Sequence, residues 1–184
     1  MTEKRPFEFK GINHLALVCR DMKKTVEFYR DVLGMPLVRT INLPDNSGQH
    51  FFFDCGNGDC IAFFWFRDAP VAAPGIAAPA KLPTRGNFMS AHGSMNHVAI
   101  NIPADKFDEY YQRLVDRGVK VTMILNHDNS PNQVSADVSD DVFVRSVYFF
   151  DPDGICLEFA AWTKDHTEAD ATVEPVSVDE LAGS

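Results

Sequence analysis

Two stretches of this chain carry nearly the same pattern, and that repetition constrains the fold more than anything else in it. Gly11-Ile12-Asn13-His14-Leu15-Ala16-Leu17 returns as Ser94-Met95-Asn96-His97-Val98-Ala99-Ile100, an Asn-His pair running into alternating apolar residues. A second echo follows: Phe51-Phe52-Phe53-Asp54, a Gly-rich turn and Ile61-Ala62-Phe63-Phe64-Trp65 match Tyr148-Phe149-Phe150-Asp151, the turn Pro152-Asp153-Gly154 and Ile155-Cys156-Leu157-Glu158-Phe159. Self-similarity of this kind marks two copies of one supersecondary unit. In this alignment Phe64 stands where the second copy carries Glu158. The repeat thus supplies two histidines and one carboxylate, a common ligand set for a divalent metal.

The local pattern gives the unit its shape. Alternation over residues 12–18 reads as a strand, and Asp21 is an N-cap for a helix over Met22–Leu33 whose face is Met22, Val26, Tyr29 and Leu33. Gly34 stops it. The second copy repeats the plan with a strand at 97–102, Pro103 at the helix start, a buried face of Phe107, Tyr110, Tyr111, Leu114 and Val115, and Gly118 as the stop. A short strand at 36–41 or 119–125 and a final hairpin complete each copy, so the unit is βαβββ and the fold class α+β. The expected organisation is a first module over residues 1–66, a Pro/Ala-rich linker over 67–93, a second module over 94–163 and an acidic tail over 164–184. Pro70, Pro74, Pro79 and Pro83 keep the linker out of regular structure.

Charge narrows the partners. With 17 basic against 26 acidic residues and a net charge of −9, the chain lacks the positive face that nucleic acids and anionic membranes require. No apolar run approaches the roughly 20 residues of a spanning helix, and the opening Met1-Thr2-Glu3-Lys4-Arg5 leads into no apolar signal core, so a cytoplasmic protein is expected. Cys19, Cys55, Cys60 and Cys156 show no Cys-x-x-Cys spacing; Cys55 and Cys60 could pair across a turn, but reduced cysteines packed as small hydrophobes suit such a chain better.

Alternate residues of a strand share a face, which puts His14 with Ala16 and Val18, His97 with Ala99 and Asn101, and Glu158 with Cys156 and Ala160. If the two units pair about a pseudo-twofold axis, His14 and His97 converge and the small alanines leave an open cavity. A carboxylate inside an apolar strand is costly to bury unless a cation or donor compensates it, so Glu158 is the residue that most needs a partner. Metal ligation by His14, His97 and Glu158 answers that need. A buried ion pair between Glu158 and Arg145, with both histidines satisfied in the core, is the competing answer.

The Asn-His strand openings, the helix ending Leu33-Gly34-Met35-Pro36-Leu37 and the run Ser146-Val147-Tyr148-Phe149-Phe150-Asp151-Pro152-Asp153-Gly154-Ile155-Cys156-Leu157-Glu158-Phe159 resemble the vicinal oxygen chelate superfamily. That group includes glyoxalase I, bleomycin-resistance proteins, fosfomycin-resistance enzymes, methylmalonyl-CoA epimerase and extradiol dioxygenases. The resemblance implies two paired βαβββ modules forming a cupped mixed sheet around a central cavity and a divalent metal, which binds two neighbouring substrate oxygens. It also implies a homodimer, since open strand edges in such modules are covered by association.

Within that family, glyoxalase-like and epimerase-like members carry a carboxylate in each module, whereas Phe64 stands at the first-module position here. His14, His97 and Glu158 instead resemble the two-histidine, one-carboxylate set of extradiol dioxygenases, which leaves positions for a catecholate and O2. Fosfomycin-modifying members share the set. Tyr148 resembles the tyrosine that touches substrate in the extradiol enzymes, with cross-strand packing as its other reading. His50 and His127 are the candidates for an acid–base group, although either suits a solvated position. Phe64, Phe53 and Tyr148 are expected to line an apolar cavity, and Arg145 is a candidate to hold an anionic substrate group. The expectation is therefore a dioxygenase-like metalloenzyme for a small aromatic or vicinal-oxygen substrate, with Fe(II) favoured and Mn(II), Zn(II) or Ni(II) as other fits. The alternatives are metal-assisted proton transfer of the glyoxalase, epimerase or isomerase kind, and a bleomycin-resistance-like binding protein.

Overall fold

A computed structural model describes residues 12–85 and 88–167, so the expected acidic tail lies outside the described residues from 168 onward. Strand β1 (His14–Val18) leads to helix α1 (Met22–Val26), where the Asp21 carboxylate accepts the Lys24 N–H at 3.2 Å, as the capping reading requires. The helix then widens into a π-helical stretch, Glu27–Val32, whose last hydrogen bond runs from the Leu33 N–H to the Phe28 carbonyl at 2.9 Å. Tyr29, within this stretch, is fully buried. Strands β2 (Leu37–Asn42), β3 (Gly48–Gly56) and β4 (Asp59–Phe66) complete a mixed sheet of order β1-β4-β3-β2.

The second copy has β5 (Val98–Asn101), α2 (Phe107–Asp116), β6 (Leu125–His127), β7 (Val134–Ser135), β8 (Val144–Phe150) and β9 (Cys156–Trp162), in a sheet of order β5-β9-β8-β6-β7. Gly34 and Gly118 end the two helical segments at φ +79° and +78°, a conformation that costs glycine nothing. The strand expected at 119–125 does not form as such. Thr122 is the reason: its hydroxyl accepts the Tyr148 N–H at 3.0 Å and takes a donor from the ladder, leaving an isolated bridge between Val121 and Phe149. Val115, expected on the buried face of α2, is exposed, because Phe107 and Leu114 define a face it turns away from.

Register corrects the alignment of the two copies. In each, the first strand runs parallel to the last, and Ala16 pairs with Ala62 while Ala99 pairs with Glu158. With His14 and His97 equivalent, the first-copy counterpart of Glu158 is Ala62, not Phe64, and Cys60-Ile61-Ala62-Phe63 answers Cys156-Leu157-Glu158-Phe159. The hairpins differ: β3 and β4 carry a bulge between Asp54 and Gly56, whereas β8 and β9 are joined by the longer turn after Phe150. Aligning on the hairpins slips the register by two on β4, which preserves the face of its side chains, and by one on β3, where Phe52 and not Phe51 is the counterpart of Tyr148.

The helix-side faces of both sheets merge into one core. Cys19, Met22, Tyr29, Phe53 and Phe63 from the first copy pack with Ile100, Phe107, Phe149, Leu157 and Phe159 from the second. Polar contacts cross the same seam: the Tyr29 hydroxyl donates to Asp151 at 3.2 Å, the Arg20 N–H to Asp153 at 3.0 Å, and the Arg117 guanidinium to the Asp31 carbonyl at 2.8 Å. The opposite faces of the two sheets, which carry His14 and Glu158, consequently point away from each other. All four cysteines are free thiols. Among the described residues no helix is long and apolar enough to cross a membrane.

Candidate metal centre

On the outer face of the second sheet, Nε2 of His97 stands 3.0 Å from Oε2 of Glu158. The ring is held from its other side, where Nδ1 lies 2.8 Å from Oδ1 of Asn96. The Asn96 amide is itself oriented, since its NH2 group donates to the Phe88 carbonyl at 2.9 Å and to the Ser90 hydroxyl at 3.3 Å. Oδ1 is therefore the atom facing the imidazole, Nδ1 carries the proton, and Nε2 is the basic nitrogen. A proton shared between Nε2 and the carboxylate satisfies the pair at this distance, and a metal ion displacing that proton would be held by the same two atoms. Two ligands about 2.1 Å from one ion and at right angles to each other stand about 3 Å apart, so the pair fits a divalent metal.

Glu158 is 5% exposed. Burial pushes its carboxyl up, but His97, Ser146 and Tyr148 beside it outweigh burial and hold it below its ordinary value. Arg145 is not its partner. That guanidinium is paired with both oxygens of Asp108, bonded to Asn126 and laid over the Phe107 ring, on the helix side of β8, which removes both the competing ion pair and the anion-holding role expected of it. Tyr148 lies directly across the strand pair from Glu158 and edge-on to His97, with ring centroids 5.5 Å apart. Burial first, and then the Glu158 charge, raises its phenol well above the ordinary value, so the hydroxyl keeps its proton. Phe88 closes the cluster against both rings.

The first sheet presents a related face. Nδ1 of His14 lies 2.8 Å from Oδ1 of Asn13, the same arrangement as in the second copy, and the His14 ring is exposed. His50 stacks on Phe64 at 3.6 Å, and Phe64 on Phe66 at 5.1 Å. Phe52, not Phe53, joins them: Phe53 is fully buried against Tyr29 on the helix side, because odd and even positions of β3 face opposite ways. Among the described residues, Nε2 of His50 is buried with no hydrogen-bond partner, and so is the Ser146 hydroxyl in the second sheet. These two orphaned atoms occupy matching positions, since His50 pairs with Phe64 and Ser146 with Ala160, each two residues past the Ala62/Glu158 position.

His14 does not meet the other two candidate ligands within one chain, for among the described residues no three His, Cys, Asp or Glu side chains gather closely enough to hold a metal. His127 is on β6 opposite Val144, towards the rim of the second sheet and two strands from Glu158. Sequence reasoning missed the supporting residues Asn13, Asn96, Phe88 and Ser146. The Asn-His dipeptide occurs twice at equivalent positions, and that recurrence was the available signal for the first two; nothing local marks Phe88, which acts through both its carbonyl and its ring.

The pattern of the Glyoxalase/Bleomycin resistance protein/Dioxygenase superfamily matches residues 11–159. Metallothiol transferase FosB of Lysinibacillus sphaericus (strain C3-41) is 27% identical over 154 residues, covering 84% of each chain. MhqE of Bacillus subtilis (strain 168), named provisionally as a ring-cleaving dioxygenase, is 26% identical over 116 residues, 61% of this chain and 33% of its own, so the match spans a third of that protein. A crystal structure of a variant of the fosfomycin resistance protein FosX from Listeria monocytogenes, holding Mn(II) and 1S,2S-dihydroxypropylphosphonic acid, shares the fold at a TM-score of 0.52 and 20% identity, over 85% of this chain and 95% of that one.

Proposed function

The chain belongs to the Glyoxalase/Bleomycin resistance protein/Dioxygenase superfamily, and from that premise we propose that it is a divalent-metal enzyme of the extradiol-dioxygenase type. His97 and Glu158 of one chain and His14 of a second copy are the ligands, and the substrate is a small aromatic compound with two neighbouring oxygens. The contact between His97 and Glu158 carries this reading, because it holds an imidazole nitrogen and a carboxylate oxygen at the spacing of two neighbouring ligands on one ion. A second copy is invoked because the helix faces are already used within the chain, while β1 presents His14, Ala16 and Val18 to solvent on an open strand edge. Two chains related by a twofold axis then build two equal sites, each with one carboxylate.

Two imidazoles and one carboxylate favour Fe(II) with O2 as co-substrate, and also accommodate Mn(II), Zn(II) or Ni(II). When bound, the metal supplies Lewis acidity toward the vicinal oxygens. The chain's own groups do the rest. Phe52, Phe64, Phe66 and Phe88 offer flat apolar walls for an aromatic ring. The Tyr148 hydroxyl, protonated and next to Glu158, donates to a substrate oxygen. His50, whose Nε2 has no partner among the described residues, offers that atom as the proton acceptor. With Ala62 in place of a second carboxylate, the proton-transfer chemistry of glyoxalase-like relatives lacks its base.

A second reading is transfer to an anionic substrate, favoured by one residue: register puts Arg39 on the same face as Phe52, on the outer strand. Oxygen-electrode traces of the Fe(II)-loaded protein with a panel of catechols and hydroquinones decide between them. Oxygen uptake is expected; none across the panel, with modification of fosfomycin by a thiol instead, replaces the dioxygenase reading with the transferase one. Tyr148→Phe is expected to slow turnover while leaving metal bound.

A further inference from the structure

A second opening lies apart from the metal centre, where the end of the first helical segment, the segment between the copies, the chain after α2 and the β8–β9 turn come together. Its volume of about 670 Å³ is that of a small-molecule site. Phe28, Val32, Leu82, Val119 and Phe150 wall it, and none has a polar side-chain atom. The charged groups along it are Lys81, Arg117, Lys120 and Asp151. Arg117 donates to the carbonyl oxygens of Asp31 and Val32. Asp151 is turned inward, accepting the N–H groups of Asp153 and Ile155 and the Tyr29 hydroxyl. Lys81 and Lys120 are exposed, and among the described residues neither ammonium has an ion pair or hydrogen bond. In a chain of net charge −9, two uncommitted lysines and an arginine around one apolar cavity are a local reversal of sign.

We infer that this cavity is a second ligand site, one that takes an amphiphilic carboxylate with its apolar body between the walls and its head group at Lys81 and Lys120. A neutral ligand leaves the two ammonium groups without a counter-charge, and a cationic one is repelled by them. Long lysine stems lie along apolar surface while their heads stay in water, which puts the charge at the mouth and the apolar area inside. The inference is independent of the metal assignment. Leu82 and Phe150 also pack against Tyr148, so an occupant touches the back of the cluster that shapes the metal centre.

Calorimetric titration of the full chain with octanoate, octanol and octyltrimethylammonium tests this. Octanoate should bind about tenfold tighter than octanol, the scale of one charge-assisted contact, and the cation should not bind. Lys81→Gln combined with Lys120→Gln should erase the preference for octanoate while leaving octanol binding unchanged, which shows that the cavity itself is intact. Val119→Trp should weaken both ligands by filling the cavity. Equal binding of octanoate and octanol by the parent, or a preference that survives in the double variant, overturns the inference. Displacement of octanoate by a synthetic peptide of residues 168–184 also overturns it, because the occupant is then the chain's own acidic tail.

Discussion

Nε2 of His97 and Oε2 of Glu158 are 3.0 Å apart across the β5–β9 ladder, the spacing of two neighbouring ligands on one ion. Both groups are supported from within the second copy: Asn96 fixes the imidazole, and the fully buried Ser146 lies beside the carboxylate.

Glu158→Gln should cut divalent-metal content from about one ion per chain to a residual level, because a neutral amide cannot offset the ion's charge in a buried strand. Metal analysis after purification without chelator or an affinity tag reads this directly. Retention of a full equivalent by the Gln variant would show Glu158 to be structural.

Complementation separates a shared site from a site within one chain. His14→Ala and Glu158→Gln should each lose metal when purified alone. Unfolded together and refolded as a mixture, they should recover it in mixed dimers, where His14 of one chain meets His97 and Glu158 of the other. Absence of recovery, in a mixture shown by mass spectrometry to contain mixed dimers, would rule out the two-chain centre.

Asn96→Ala should weaken metal binding about 10- to 100-fold without unfolding the chain, the usual effect of deleting a group that orients a ligating histidine. Asn13→Ala should do the same for His14. Asn96→Ser, which keeps an acceptor, should restore part of the loss at Asn96; competition with a fluorescent chelator gives the affinities.

Asp151 predicts the pH dependence of stability. Burial, then opposed by the N–H groups of Ile155 and Asp153, leaves its carboxyl pushed up to about 6. The folded chain thus holds this proton more tightly than the unfolded one, whose aspartate titrates near 3.9. Its contribution is fully present below about pH 4 and is lost as pH rises through about 6, a change on the order of 3 kcal/mol. Asp151→Asn keeps the turn's acceptor and removes the titration. Urea unfolding at pH 4.5 and 7.5 should show the parent's stability falling relative to the variant's as pH rises, and parallel behaviour would reject the assignment.

Much of this was legible in the sequence. The Asn-His recurrence located the first strands, Asp21 and Gly34 bounded the first helix, and the apolar interruption at Glu158 marked a residue in need of a partner. What resisted reading was three-dimensional. Phe64 was matched to Glu158 because a slip of two residues along β4 leaves its side chains on their faces, and only the Ala99–Glu158 ladder reveals Ala62 as the counterpart. Phe53 looked like a cavity residue because four aromatics and near-aromatics in a row hide which parity faces the helices. Arg145 is an odd-numbered neighbour of Ser146 and falls to the Asp108 side for the same reason. The direction in which the two sheets face depends on the Tyr29–Asp151 seam, a contact between residues far apart in the chain, and no local pattern encodes it.

The single core fed by both copies has a consequence for how this molecule melts and how it can change. Half of the chain has nowhere to place Tyr29, Phe53 and Phe63, or Phe149, Leu157 and Phe159, without the other half. The duplicated segments are therefore one cooperative unit, and a calorimetric trace should show one transition with equal calorimetric and van't Hoff enthalpies. Substitutions on the seam are shared liabilities, felt by both copies at once. Those on the outward faces are not, and this is where one copy could lose a carboxylate to Ala62 while the other kept Glu158: the ancestral symmetry is locked on the inside and free to drift on the outside.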